Sequence, residues 1–121
     1  MAPELETVSI EVLDDGVAVL RTDRPDRMNA QAVHTFGEYA VAARWLHDQP
    51  IRALVLTGAG DRAFCAGFDL AEIDVLTTMG TLEFLAFQET ATNAIQAIRS
   101  LPFPVVAAIH GPHLDIFVPL V

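Results

Sequence analysis

The stretch of sequence that decides the fold of this chain is residues 54–70, LVLTGAGDRAFCAGFDL. It begins with an apolar run that predicts a buried strand, and it continues through a glycine-rich turn and a second tight turn to a predicted helix start. Glycines let the backbone direct several N–H groups toward one point. Because N–H groups that converge beside a helix N-terminus favour negative charge, the stretch predicts a backbone site for an oxyanion.

Two other segments extend this pattern. Residues 24–30 read RPDRMNA, and residues 102–112 read PFPVVAAIHGP. In their order and spacing, the three segments together resemble the enoyl-CoA hydratase/isomerase (crotonase) superfamily. The resemblance runs from about residue 16 to residue 112, and residues 113–121 form a divergent tail.

Length and composition limit the class of protein. The chain has 121 residues, of which 52% are hydrophobic and 19% charged, so we expect one globular domain. No apolar run is long enough to cross a membrane, and the acidic N-terminus lacks the apolar segment of a signal peptide. A single cysteine excludes an internal disulfide and fits a reducing compartment. We therefore expect a cytoplasmic protein that does not contact a membrane.

The net charge of −9, from 7 basic and 16 acidic residues, argues against a nucleic-acid partner. The same field repels small anionic ligands unless basic side chains gather locally. Arg21, Arg24, Arg27 and Arg62 lie in or beside the loops that the family would use. Two interpretations stay open: these arginines offset the negative field at the mouth of one binding site, or they are ordinary surface residues.

The hydrophobic pattern predicts strands that alternate with helices. The predicted strands are 7–13, 17–21, 51–57 and 105–109, and the predicted helices are 30–48, 69–76 and 81–100. Asn29 is the expected N-cap of the first helix. Leu82, Leu85, Ile95 and Ile98 are the expected packing positions of the last helix. The order predicts an α/β fold with a mostly parallel sheet and flanking helices. The resemblance implies a single partial domain over residues 1–121, the N-terminal portion of a crotonase-like ββα spiral.

The resemblance implies a substrate in which an acyl group is joined to coenzyme A through a thioester. Reaction at the acyl chain places negative charge on the thioester oxygen as an enolate, which two backbone N–H groups hold. The resemblance makes the N–H of Phe68 the first donor. The family often has a small residue there, so we expect the ring to narrow the acyl pocket; the alternative is a core aromatic.

Contacts with coenzyme A and the thioester are also implied by the resemblance. Segment 24–30 would face the phosphates and the pantetheine, and the main chain at Ala66 would meet the adenine. The implied binding residues are Arg24, Met28, Ala30, Ala66, Gly67, Phe68, Asp69 and Leu70. Asp69 is also interpreted as a helix cap, Asn29 as a cap rather than a ligand contact, and Cys65 as a small buried hydrophobe. Coenzyme A belongs to the substrate, and no further cofactor is implied.

The second donor position departs from the family pattern. The family continues after the 105–111 segment with a run of glycines, and a catalytic glutamate often follows. Here Ile116 stands at the second donor position by spacing, and Pro119 stands where the glutamate would fall. The resemblance implies a homo-oligomer, the family's trimer or hexamer, although the helices that build it are absent from these residues. We expect a frameshifted or ended reading frame, or natural divergence, and little hydratase activity.

Hydration of an enoyl thioester needs a carboxylate that activates water and an acid that protonates carbon. Neither Asp69 nor Asp115 stands at a hydratase position. Glu83 and Glu89 are interpreted as solvated helix surface, with a catalytic role as the alternative. His110 and His113 flank a Gly-Pro turn, which does not form a rigid metal-binding pair, so no metal site is expected.

Three functions follow from the sequence. The favoured one is an enoyl-CoA hydratase-like lyase or isomerase of fatty acid metabolism that binds acyl-CoA. The second is a non-catalytic fragment that co-assembles with a homologue, because half a spiral leaves sheet edges and apolar faces uncovered. The third is a dinucleotide-binding module, because residues 58–63, GAGDRA, match a relaxed glycine fingerprint.

Overall fold

The structure, a computed structural model, describes residues 1–111. Within these residues, four strands and three α-helices alternate along the chain, with two 3-10 turns between them. Their bounds are β1 Val8–Val12, β2 Val17–Thr22, α1 Val33–His47, β3 Ala53–Gly58, α2 Ile73–Thr78, α3 Thr81–Arg99 and β4 Val105–Ala107. The 3-10 turns are Pro25–Arg27 and Leu70–Glu72. This order is the one that the sequence predicts.

The strands form one mixed sheet in the order β1-β2-β3-β4. The first pair is an antiparallel hairpin, whereas β2 pairs with β3 and β3 with β4 in parallel. Two of the three pairings are therefore parallel, as expected for strands that helices connect. The parallel register aligns Leu20, Leu56 and Ala107 in one row across the sheet.

Helices α1 and α3 cover one face of this sheet. On α1 the buried residues Phe36, Tyr39, Ala43 and Leu46 recur at helical spacing and form a single apolar face. Three of them, Tyr39, Ala43 and Leu46, pack with the buried strand residues Leu20, Leu54 and Leu56 and with Ala94 and Ile98 of α3. Burial of this apolar surface is the main force that holds the helices on the sheet.

Helix α1 begins later than predicted, and the predicted N-cap is wrong. The helix starts at Val33 with Ala32 as its N-cap, and the Thr35 hydroxyl accepts the Ala32 N–H at 3.1 Å. Met28 and Asn29 have φ angles of 55° and 56°, in the left-handed region, so the chain cannot be helical there. Asn29 therefore belongs to a turn that precedes the helix by several residues.

Helix α3 is packed at its C-terminal end and exposed at its N-terminal end. Ile98 is buried as predicted, and Ile95 is half-buried. Leu82 and Leu85 are 82% and 53% exposed, so their predicted packing role is wrong for the part of the chain that the structure describes. The cause is position along the helix: only its last turns reach the core beneath α1. Among residues 1–111, no helix has the length and apolar composition that a membrane span requires.

Candidate functional site

The turn that carries Phe68 is paired with Gln31. The Gln31 N–H donates to the Gly67 carbonyl at 2.7 Å, and the Asp69 N–H donates to the Gln31 carbonyl at 2.8 Å. These bonds form an isolated parallel bridge between Gln31 and Phe68. In extended chain, successive N–H groups point to opposite sides, so the Phe68 N–H points away from Gln31. It has no acceptor within residues 1–111.

Two glycines make this turn sterically feasible. Gly67 has a φ of 98°, a conformation that side chains other than hydrogen rarely adopt. Gly58 ends β3 so close to the turn that an added Cβ would lie 2.4 Å from the Phe64 carbonyl oxygen and 2.6 Å from Asn29 Nδ2. The glycine-rich composition of residues 54–70 therefore reflects both a strained turn and close packing against β3.

Asn29 joins the two loops of the site through its side chain, which is fully buried. Its Nδ2 donates to the carbonyls of Ala59 and Ala63 at 2.9 and 2.7 Å. Its Oδ1 accepts the N–H of Arg24 at 2.9 Å. Asn29 is thus neither the helix cap that the sequence predicts nor a group exposed to a ligand. It fixes segment 24–30 against the turn that follows β3.

Arg24 and Asp69 make a second connection between the same loops. Arg24 Nη2 lies 2.9 Å from Asp69 Oδ2, and Arg24 Nη1 donates to the Ala30 carbonyl at 2.7 Å. Arg27 Nη1 lies 3.8 Å from Asp69 Oδ1. The Ala71 N–H donates to Asp69 at 2.9 Å, which agrees with the predicted cap role. This hydrogen bond, together with the two arginines, holds the pKa of Asp69 below its ordinary value despite burial.

A buried polar network behind the turn was not foreseen from the sequence. Gln31 is fully buried, and its Nε2 donates to Thr22 Oγ1 at 3.1 Å. Thr22 also hydrogen-bonds the Tyr39 hydroxyl, whose pKa is raised by burial. Cys65 is buried beside Gln31 as a free thiol, in keeping with its interpretation as a small core residue. The sequence offers one signal for Gln31. It is a polar residue two positions after Asn29, just before the apolar positions of helix α1.

An apolar groove of about 660 Å³ lies beside the turn, between α1, α2 and α3. Its apolar lining consists of Phe36, Phe68, Leu76, Phe84, Phe87 and Ile95. The Phe87 ring centroid lies 6.4 Å from that of Phe68 and 5.6 Å from that of Phe36, in edge-to-face arrangements. Phe68 is half-buried, so its ring forms part of the groove wall.

The structure brings segments 24–30 and 66–70 together, as the predicted site requires. The Met28 carbonyl accepts the Ala66 N–H at 3.0 Å, which places the two segments side by side. Ala30 is buried, Ala66 is half-buried and Leu70 is 80% exposed. The other predicted donor, Ile116, lies outside the described residues, as do Asp115, His113 and Pro119.

The remaining predicted polar groups do not converge on the turn. Glu83 and Glu89 are exposed on α3. Arg21 pairs with Glu11 at 3.0 Å, and Arg62 is exposed. Within residues 1–111, no three histidine, cysteine, aspartate or glutamate side chains are grouped as metal ligands.

The dinucleotide interpretation lacks its required structural context. A Rossmann fingerprint needs a helix that begins within the glycine motif after the strand. In the described part of the chain, the next helical turn after β3 is Leu70–Glu72, well beyond residues 58–63. The glycine motif instead leads into the irregular turn that presents Phe68.

Comparison with known proteins gives the family. Residues 13–114 match the family model described as enoyl-CoA hydratase/isomerase. Crotonyl-CoA hydratase of Syntrophomonas wolfei is 35% identical over 99 residues, which cover 81% of this chain and 37% of that protein. Short-chain-enoyl-CoA hydratase of Clostridium acetobutylicum is 33% identical over 109 residues, which cover 89% of this chain and 40% of that protein.

Comparison with solved structures leads to the same family. The crystal structure of an enoyl-CoA hydratase from Mycobacterium smegmatis superposes with a TM-score of 0.77 at 30% identity, covering 88% of this chain and 41% of that one. The chain therefore spans about two fifths of the length of these relatives. The predicted crotonase-like fold is confirmed for this portion, and the chain belongs to the enoyl-CoA hydratase/isomerase family.

Proposed function

We propose that this chain binds acyl thioesters of coenzyme A and stabilises negative charge on the thioester oxygen through the main-chain N–H of Phe68. The observation that carries the proposal is the direction of this N–H. Its neighbours at Gly67 and Asp69 are both bonded to Gln31, and the Phe68 N–H itself is left without an acceptor in residues 1–111. The family and the names of its members support the choice of ligand.

A fixed amide is suited to this task because it needs no reorganisation when charge develops. Removal of a proton from the carbon beside the thioester shifts the electron pair onto the carbonyl oxygen, where a hydrogen-bond donor lowers the energy of the enolate. In other enzymes, removal of one such donor raises the barrier by about 2.7–4 kcal/mol. In this proposal the second donor is the N–H of Ile116, at the position that the family pattern implies.

Coenzyme A would lie along segments 24–30 and 66–70. Arg24 is committed to Asp69 and to the Ala30 carbonyl, so it supports the turn rather than presenting a free cation. Arg27, whose side chain is 52% exposed, and the exposed Arg62 are better placed to approach phosphates. Met28, Ala66 and Leu70 would then contact the remainder of the ligand.

We expect this chain to catalyse the hydration step of the family poorly. Asp69, the carboxylate beside the turn, is ion-paired and accepts an N–H from Ala71. An aspartate held in this way is a poor general base because its pKa is lowered further from neutrality. We therefore expect binding and polarisation of the thioester with very low turnover of crotonyl-CoA in a spectrophotometric assay.

The decisive experiment removes one N–H and retains the side chain. Phe68 is replaced by its α-hydroxy acid analogue, so that a backbone ester substitutes for the amide while the ring stays. 2,4-Hexadienoyl-CoA absorbs at longer wavelength when its carbonyl is polarised by hydrogen bonds. The unmodified chain should produce this red shift, and the ester at position 68 should reduce it strongly.

The matched control is the same ester at Gly80, which is exposed in the turn between α2 and α3. This control should bind the dienoyl thioester with an unchanged red shift. An undiminished red shift in the ester at position 68 would contradict the proposed donor. Absence of any binding of coenzyme A thioesters to the unmodified chain would contradict the proposed ligand.

A second candidate function is association with an intact homologue. It is favoured by large apolar side chains that are exposed, above all Leu70, Leu82 and Val106. Size-exclusion chromatography with light scattering tests it on the chain alone and mixed with a full-length relative. A chain that stays monomeric both alone and in the mixture with the relative would contradict this candidate.

A further inference from the structure

We propose that the groove beside Phe68 selects an aryl-bearing acyl group, which makes Phe68 a specificity-determining residue as well as an amide donor. The inference rests on the proposed function, because an acyl group enters this groove only if its thioester oxygen lies at the Phe68 N–H.

The composition of the groove is strongly aromatic. Four of the seven phenylalanines of the chain line it: Phe36, Phe68, Phe84 and Phe87. They come from α1, the turn and α3, so three separate segments direct rings to one place. A groove for an aliphatic chain needs only apolar area, which leucine or isoleucine supplies equally well. The concentration of rings indicates a ligand that gains from ring-to-ring contact.

The rings are arranged around Phe87 in a way that leaves room for another ring. Phe87 lies 5.6 Å from Phe36 at 77°, 6.4 Å from Phe68 at 61° and 6.5 Å from Phe84 at 49°. Aromatic pairs favour such tilted and edge-to-face contacts at centroid distances of about 4.5–7 Å. Phe84 is exposed, and Phe68 and Phe87 are half-buried. Ring surface therefore remains uncovered in a groove of about 660 Å³, a volume within the range of small-ligand sites.

The donor and the groove are joined in a single residue. Phe68 offers its N–H on the main chain and its ring as part of the wall. A thioester oxygen at the N–H thus places the adjoining acyl carbons beside the ring. A short spacer between the carbonyl and an aryl group brings that group among the phenylalanines.

The experiment compares two thioesters that differ only in ring aromaticity. Dissociation constants of 3-phenylpropionyl-CoA and 3-cyclohexylpropionyl-CoA are measured by calorimetry with the full chain, and coenzyme A serves as the reference. Two methylenes separate each ring from the carbonyl, so the acceptor strength of the oxygen is the same. We expect the phenyl compound to bind about 2- to 12-fold more tightly, the contribution of aromatic pairing beyond buried area.

The variant Phe68→Leu keeps the N–H and an apolar side chain but removes the ring. It should lower the phenyl-to-cyclohexyl preference by about twofold or more. Leu85→Ala on the exposed side of α3, outside the groove lining, is the control and should leave both this preference and the affinity for coenzyme A unchanged. An unchanged preference in Phe68→Leu would overturn the role of Phe68.

The comparison of the two thioesters on the unmodified chain tests the aryl selectivity even if the Phe68→Leu variant does not fold. Equal binding of the two thioesters, or tighter binding of the cyclohexyl compound, would overturn the aryl selectivity and leave the proposed function intact. Failure of coenzyme A and of both thioesters to bind would contradict the proposed function and, with it, this inference.

Discussion

The turn around Phe68 and helix α3 form two sides of the same groove, yet they are stabilised in different ways. The turn is held by buried polar groups: Gln31 bonds its main chain on both sides of Phe68, and Asn29 and Arg24 anchor it through side chains. Helix α3 is held by apolar packing at one end, where Ala94 and Ile98 are buried. Its other end, with Leu82 and Leu85, is exposed.

The difference places the proposed oxyanion donor and the proposed aryl-binding wall on parts of the molecule that are held in different ways. The groups that hold the main chain around Phe68 are joined by hydrogen bonds among residues 22–71. The aromatic wall also needs Phe84 and Phe87, which lie on the poorly covered half of α3. Segments with few buried apolar contacts open at lower free energy. We therefore expect that, when the protein is destabilised, the half of α3 that carries Phe84 and Phe87 opens before the turn that carries the Phe68 N–H.

The largest expected effect is the loss of Asn29. Asn29→Ala leaves the carbonyls of Ala59 and Ala63 and the N–H of Arg24 without their partner. Each buried group left unsatisfied costs about 1–3 kcal/mol. The bond to Ala63 is buried and the bonds to Ala59 and Arg24 are partly buried, so the free energy of unfolding should fall by about 3 kcal/mol or more. Urea denaturation monitored by circular dichroism measures this loss.

Asn29→Gly separates the hydrogen bonds from the backbone conformation. Asn29 has a φ of 56°, which glycine adopts without steric cost and alanine does not. The glycine variant should therefore be the more stable of the two, while still well below the unmodified chain. Wild-type stability in both variants would show that the loops of the site are held together by other contacts.

The sequence predicted the order of the elements because apolar runs and turn residues are local signals. The cap role of Asp69 was also predictable, since a cap acts within two residues of itself. Asn29 and Gln31 could not be assigned in this way, because the partners that join the two loops lie more than 30 residues away: Asn29 bonds Ala63, and Gln31 bonds Gly67. Their roles depend on the approach of two loops, which spacing does not encode.

The exposure of Leu82 and Leu85 was unpredictable for a related reason. Helical periodicity shows which residues share a face but not how far along the helix a neighbour extends. In the structure, only the C-terminal turns of α3 belong to the core that α1 forms with the sheet. The same apolar face is therefore core at Ile98 and surface at Leu82.

A smaller effect is expected from protonation of Asp69. Its pKa is lowered by the Ala71 N–H, with Arg24 and Arg27 adding to the effect, so the folded state binds this proton less readily than the unfolded state. The contribution to stability is complete above the ordinary value of 3.8 and is lost as pH falls below it toward the folded pKa. The free energy of unfolding should decrease on acidification in this window, which urea titrations at successive pH values measure.

Asp69→Asn identifies the share of Asp69 in this acid dependence. The amide can still accept the Ala71 N–H but does not titrate, so the variant should be less stable at neutral pH and less sensitive to acid. The comparison is needed because the pKa of Glu38 is also lowered. Burial raises this pKa, but hydrogen bonds from Thr7 and Glu6 lower it by a larger amount. An acid dependence identical to that of the unmodified chain would assign the effect to Glu38.

The smallest effect is expected at the exposed end of α3. Leu82 is 82% exposed, so Leu82→Ser removes little buried area and should change the free energy of unfolding by less than about 0.5 kcal/mol. Thermal and urea denaturation at several protein concentrations measure it. A loss above about 1 kcal/mol that grows with protein concentration would show that a second chain covers Leu82 in solution. The exposed end of α3 would then be an interface, and the contrast with the self-contained turn would mark where this chain depends on a partner.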